Sequence, residues 1–83
     1  MSPGAATQSK KHASAREALA ANIVALRHEK GWSQEVLAFE CGLHRTFVAH
    51  VERLSRNISL DNVERLAVAL GVQPYELLKP RSD

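Results

Sequence analysis

QEVLAFECGLHRTFVAHVER, residues 34–53, is the stretch that decides the fold. Its apolar spacing reads as a helix over about 34–41, a three-residue turn, and a second helix from near Arg45 to near Arg53. Two helices joined by so short a turn cross steeply, and the crossing constrains individual side chains. The fifth residue of the stretch has to be small, and it is Ala38; the ninth has to tolerate positive φ, and it is Gly42. The fourth, eighth, tenth, fifteenth and eighteenth have to be apolar to seat the pair on other helices, and they are Leu37, Cys41, Leu43, Val48 and Val51. All of these positions comply, which predicts helix-turn-helix geometry.

The same punctuation recurs on both sides. Upstream, Ser14 with Glu17 makes a capping-box pattern, and Leu19, Ile23 and Leu26 keep one apolar face until Gly31, so a helix is expected over about 15–30. Trp32 and Leu37 are spaced as a hydrophobic staple around Ser33, the N-cap of the 34–41 helix; Leu43 and Val48 repeat that spacing around His44, a weaker cap. Downstream, Ser59 caps a helix over about 60–70, with Ile58 and Val63 as its staple and Leu60, Val63, Leu66, Ala67 and Leu70 expected to face inward before Gly71. Pro74 opens a last short helix, Glu76 is its third residue, Leu77 and Leu78 are its apolar content, and Pro80 stops it. Period-two β-branched alternation and hairpin turns are lacking, so the expected fold is all-α, a compact five-helix bundle over residues 14–79. Residues 1–13 are expected to form a flexible basic tail and residues 80–83 a short C-terminal one.

With 83 residues, 45% of them hydrophobic and 24% charged, the chain fits one small domain and excludes a two-domain enzyme. The lone Cys41 makes no internal disulfide, which favours a reducing, cytoplasmic setting. No run approaches the roughly 18 apolar residues of a membrane span, and the opening MSPGAATQSKKHASAR lacks the apolar core of a secretory signal, so no membrane association is expected. The formal charge of +2 is weak grounds for a nucleic-acid partner, but its distribution is uneven. Residues 1–16 carry Lys10, Lys11 and Arg16 with no acid, a pattern that suits an arm along phosphates and a solvated tail equally.

GWSQEVLA at 31–38, CGLHRTFVAHVER at 41–53 and RNISLDNVERLAVALGV at 56–72 resemble the lambda repressor and Cro-like (XRE) family of bacterial and phage transcriptional regulators, over about residues 19–78. HRTF followed by RNISL is similar, more narrowly, to the controller proteins of restriction-modification systems, small single-domain homodimers. The resemblance implies a homodimer on a two-fold symmetric double-stranded DNA operator, with the helix over about 45–53 of each subunit in successive major grooves. It implies phosphate contacts from Gln34 in the first turn of the second helix and from Arg56 and Asn57 after the third. It also implies a partly buried ion pair between Arg27 and Glu52. One departure stands out: Leu54 follows Glu52 and Arg53 where the family usually has Gly. Leucine in a left-handed conformation costs about 1 kcal/mol or more, so either the third helix is expected to run on or the loop to Ser59 to be remodelled.

Helical geometry by itself nominates the reading face. With Leu43, Val48 and Val51 turned inward, the opposite side of the third helix carries Arg45, Thr46, Ala49, His50 and Arg53. Arg45 is the best base reader, because a guanidinium pairs two-pronged with guanine. Thr46 suits a phosphate or a thymine methyl, Ala49 permits close approach, and His50 offers a donor to a base or phosphate. Ser33, His44 and Arg53 complete the expected phosphate contacts, Ser33 only if capping leaves its hydroxyl capacity. Val68, Tyr75 and Leu78 are the apolar residues expected to serve the dimer interface.

Other chemistry has little support. His12, His28, His44 and His50 with Cys41 show no metal-ligand spacing, and no Gly-rich phosphate loop exists, so no metal, cofactor, small-molecule ligand or catalytic activity is expected. The rival reading is an antitoxin or protein-interaction module that uses the same fold, for which only residues 1–13 and KPRSD at 79–83 are spare.

Overall fold

The computed structural model describes residues 14–55 and 57–81. Five helices follow one another: α1 (Ala15–Glu29), α2 (Gln34–Cys41), α3 (Arg45–Glu52), α4 (Leu60–Leu70) and α5 (Pro74–Leu78), with no strand among the described residues. The expected tail at 1–13 lies outside the described residues.

The starts of α1, α2 and α4 are fixed by serine caps read from the sequence. Ser14 Oγ accepts from Glu17 N while the Glu17 carboxylate accepts from Ser14 N. Ser33 and Ser59 accept in the same way from Val36 N and Asn62 N. His44 occupies the N-cap of α3 without a side-chain capping bond. The stops at Gly31, Gly42 and Gly71 are all left-handed.

Leu19 and Ile23 of α1, Leu37, Ala38 and Cys41 of α2, Val48 and Val51 of α3, Val63, Leu66, Ala67 and Leu70 of α4 and Leu77 of α5 form one buried core. The staple residues Trp32, Leu43 and Ile58 pack against it, half-buried. Trp32 also lies under the Lys30 ammonium, 5.1 Å from its ring centre. Through this core α2 and α3 are seated on α1 and α4, which fixes which face of α3 looks out.

Leu60 corrects the expected inward stripe of α4, since it is 75% exposed. It is the first residue of the helix and overhangs the core, on the rim of an open groove lined by Ala15, Leu19, Ile58 and Leu78. Helical periodicity points a residue toward a face but supplies no surface to meet it there.

A buried polar contact closes the bundle. Asn22 of α1 donates to the carbonyls of Leu77 and Lys79, each at 2.8 Å, and its Oδ1 accepts from Arg81 at 3.1 Å. Two carbonyls at the end of α5 thereby gain partners that so short a helix cannot supply.

Candidate nucleic-acid interface

Val48 and Val51 anchor α3 in the core, and the same turns carry Arg45 and Thr46 out to solvent. Ala49 and His50 are half-buried beside them, and Arg53, just past the helix, is exposed. The five residues nominated for the outer face therefore form one surface, charged at both ends and with a small residue between. His44 precedes it, exposed, with its ring free of capping work. The Nδ1 of His50 is buried and has no hydrogen-bond partner among the described residues. The His50 carbonyl accepts from both the backbone N and the hydroxyl of Ser55.

At one corner, α1, α2 and α3 are tied by a single carboxylate. Arg27 Nε donates to Glu52 Oε2 at 2.8 Å and a second guanidinium nitrogen donates to Oε1 at 3.0 Å, a two-pronged pair with both side chains nearly buried. The remaining end of Arg27 donates to the Trp32 carbonyl at 2.9 Å. Gln34, the first residue of α2, completes the corner by donating its side-chain amide to Glu52 Oε1 at 2.8 Å. Its backbone N–H is among those a helix start leaves unpaired. Ser33 is exposed next to it, with its hydroxyl oxygen accepting from Val36 N at 3.1 Å.

The segment after α3 departs from both expected outcomes. The helix does not run on; it stops at Glu52, and Leu54 itself takes the left-handed conformation at φ 64°. Ser55 N bonds back to the His50 carbonyl and Leu54 N to that of Val51, the pattern that glycine normally serves. Farther on, exposed Asn57 accepts from the Arg16 guanidinium at 2.6 Å. Arg56, nominated for the same phosphate contact, lies outside the described residues.

Of the residues nominated for a dimer face, Val68 and Tyr75 are exposed, whereas Leu78 is half-buried against the core. Sequence reasoning passed over three features: exposed Phe39, the Asn22 contacts and the pairing of Arg16 with Asn57. Phe39 is 82% exposed on α2; two residues from both Leu37 and Cys41, it is turned about 200° from the core face, a signal that was available. Asn22 and the pairing of Arg16 with Asn57 join residues distant in the chain, and no local pattern announces them.

Burial pushes the Cys41 thiol above its usual range, and its Sγ donates to the Ala38 carbonyl at 3.7 Å, so it is a core residue without a nucleophile's activation. Among the described residues no group of three His, Cys, Asp or Glu is placed to hold a metal ion. No helix among them is long and apolar enough to cross a membrane.

Comparison with known proteins gives a consistent picture. A helix-turn-helix family model matches residues 23–77. A hypothetical transcription factor of Neisseria meningitidis is 55% identical over 68 residues, 82% of this chain and 64% of that protein. A crystal structure of the Neisseria factor superposes with a TM-score of 0.77, over 78% of this chain and 75% of that one. Control protein C.BamHI of Bacillus amyloliquefaciens is 63% identical over 46 residues, 55% of this chain and 57% of that protein. The chain thus spans less than two thirds of these two relatives' own length. A mutant of the restriction-modification controller protein C.Esp1396I, solved bound to its highest affinity operator site, is 33% identical with a TM-score of 0.70, over 81% of this chain and 92% of that one.

Proposed function

The chain belongs to the helix-turn-helix family, and on that premise we propose that it is a sequence-specific transcriptional regulator of the restriction-modification controller type. It acts in the cytoplasm and carries no catalytic activity. It binds a two-fold symmetric operator as a homodimer, each subunit laying α3 in the major groove with half-sites about one helical turn apart. The observation that carries this reading is the division of α3: Val48 and Val51 hold it down while Arg45 and Thr46 stand clear, with Ala49 and His50 beside them. That is the surface base reading requires, a bidentate donor next to a residue small enough to let the helix approach. Ser33, Gln34, His44, Arg53, Arg56 and Asn57 position it on phosphates, and Val68 and Tyr75, with what Leu78 leaves exposed, serve the subunit contact. The C.Esp1396I complex supports the reading, because that relative was solved on operator DNA.

The test is selection from a random duplex pool at about 150 mM salt, where purely electrostatic binding is suppressed. A symmetric site with half-sites about 10 base pairs apart is expected; a folded protein that enriches nothing would sink the proposal. Arg45→Ala should then weaken the selected site by about 1–3 kcal/mol and leave unrelated DNA nearly unaffected, as loss of a base contact does. Equal loss on both duplexes would reduce Arg45 to a phosphate contact.

A further inference from the structure

Two arginines of α1 bond to residues of α3 or the segment after it, and they do so in opposite electrostatic states. Arg27 faces the Glu52 carboxylate and its charge is neutralised within the fold. Arg16, exposed in the first turn, bonds only an amide oxygen, Asn57 Oδ1 at 2.6 Å, and meets no carboxylate among the described residues. Its neighbour Glu17 is occupied by the capping box with Ser14. The bond to Asn57 therefore leaves the full positive charge of Arg16 unspent.

The direction of that bond matters more than its strength. Asn57 turns its side-chain oxygen to Arg16, so the groups the pair has to offer a ligand are chiefly donors: the Asn57 amide hydrogens and the remaining guanidinium hydrogens. An exposed cluster rich in donors and carrying a positive charge suits a phosphate oxygen. Its place fits as well. Arg16 and Arg27 are eleven residues apart in one helix, about 16 Å along the axis, against a major groove about 12 Å wide. Since Arg27 is joined through Glu52 to Gln34, α1 lies between two polar corners whose separation is on the scale of the two phosphate walls of the groove.

We propose that Arg16 is a DNA phosphate ligand, acting with Asn57 as one donor site that brings α1 into the interface. The inference rests on the DNA-binding reading above and extends it to a helix outside the helix-turn-helix pair. Asn57 both contacts the phosphate and holds the guanidinium toward it.

The experiment is a salt titration of the full chain on the selected operator and on an unrelated duplex of equal length, comparing wild type with Arg16→Gln, Arg16→Lys and Asn57→Asp. Arg16 is exposed and leaves the cap of α1 untouched, so thermal unfolding should stay close to wild type for all variants. Arg16→Gln should make the plot of log K against log salt shallower by about 1.8 per dimer, one phosphate per subunit, on both duplexes. Affinity near 0.1 M salt should fall by about tenfold or more, and Arg16→Lys should restore most of the slope. Asn57→Asp separates binding from structure: it strengthens the bond to Arg16 but puts a negative charge against the phosphate, so DNA binding should fall while stability holds. An unchanged slope for Arg16→Gln, or wild-type affinity for Asn57→Asp, overturns the inference while the DNA-binding reading stands. If the wild type itself binds neither duplex, that reading falls and takes this one with it.

Discussion

The turn before α3 and the turn after it close with the same pair of hydrogen bonds and place different residues at the left-handed position. Before α3, Leu43 N reaches back to the Ala38 carbonyl at 2.9 Å and Gly42 N to that of Phe39 at 3.3 Å, with Gly42 at φ 72°. After α3, Ser55 N reaches the His50 carbonyl at 2.9 Å and Leu54 N that of Val51 at 3.1 Å, with Leu54 at φ 64°. Glycine adopts this conformation at no steric cost, and leucine does not. A strained residue persists where its surroundings over-determine it. Two residues before Leu54 stands Glu52, whose carboxylate is held by both Arg27 and Gln34. The start of α3 is thus set by backbone chemistry inside the turn, and its end by side chains of two other helices.

Removing the clamp is the severest way to break that difference. Glu52→Ala leaves the Arg27 guanidinium nearly buried without its counter-charge, and it should cost about 3–5 kcal/mol in urea unfolding. On a chain of this size each kcal/mol shifts the midpoint by roughly 4–8 °C, so this variant approaches the limit of folding. Arg27→Met combined with Glu52→Leu keeps the test usable, because replacing both charges with apolar groups should recover most of the loss. A cost below about 1 kcal/mol for Glu52→Ala would mean that the end of α3 is held by something other than the clamp.

Next in size is the turn before α3. Gly42→Ala should destabilise by about 1–2 kcal/mol from the left-handed backbone, and the new Cβ would stand 3.4 Å from an Arg65 guanidinium nitrogen that can swing aside. Cys41, one residue earlier and buried, reports on the same turn. Alkylation of its thiol at mildly alkaline pH should be slow in the wild type and faster in Gly42→Ala. Equal rates would show that the turn opens independently of the strain.

These turns also mark how far the sequence could be read. Helix starts were legible because Ser14, Ser33 and Ser59 act within three residues of themselves, and most stops because glycine is chemically unambiguous. Leu54 was recognised as anomalous, yet its outcome was not derivable: whether a leucine bends to the turn depends on Glu52 and its partners on α1 and α2. Leu60 was misplaced for a related reason, since periodicity cannot say where the core ends. The outer face of α3 followed from its inner face, with Arg45, Thr46 and Arg53 exposed and Ala49 and His50 half-buried beside them. The corners at Asn22 and at Arg16 with Asn57 were not legible, because each joins residues more than forty positions apart.

The smallest effect gives the sharpest comparison. Leu54 is 40% exposed and lies outside the set packed on the core, so truncating it loses little burial. Leu54→Ala and Leu54→Gly remove the same side-chain packing and differ only in the backbone that remains. Alanine keeps the left-handed penalty, whereas glycine sheds it and gives back part of the gain in unfolded-chain entropy. Leu54→Gly should therefore be more stable than Leu54→Ala by about 1 kcal/mol, near the cost of Gly42→Ala with the sign reversed. Matching magnitudes at the two positions would show that the turns are equivalent in backbone terms and that the clamp at Glu52 carries the difference. If glycine and alanine at position 54 prove equally stable, the left-handed residue is not strained, and the end of α3 needs no clamp to hold it.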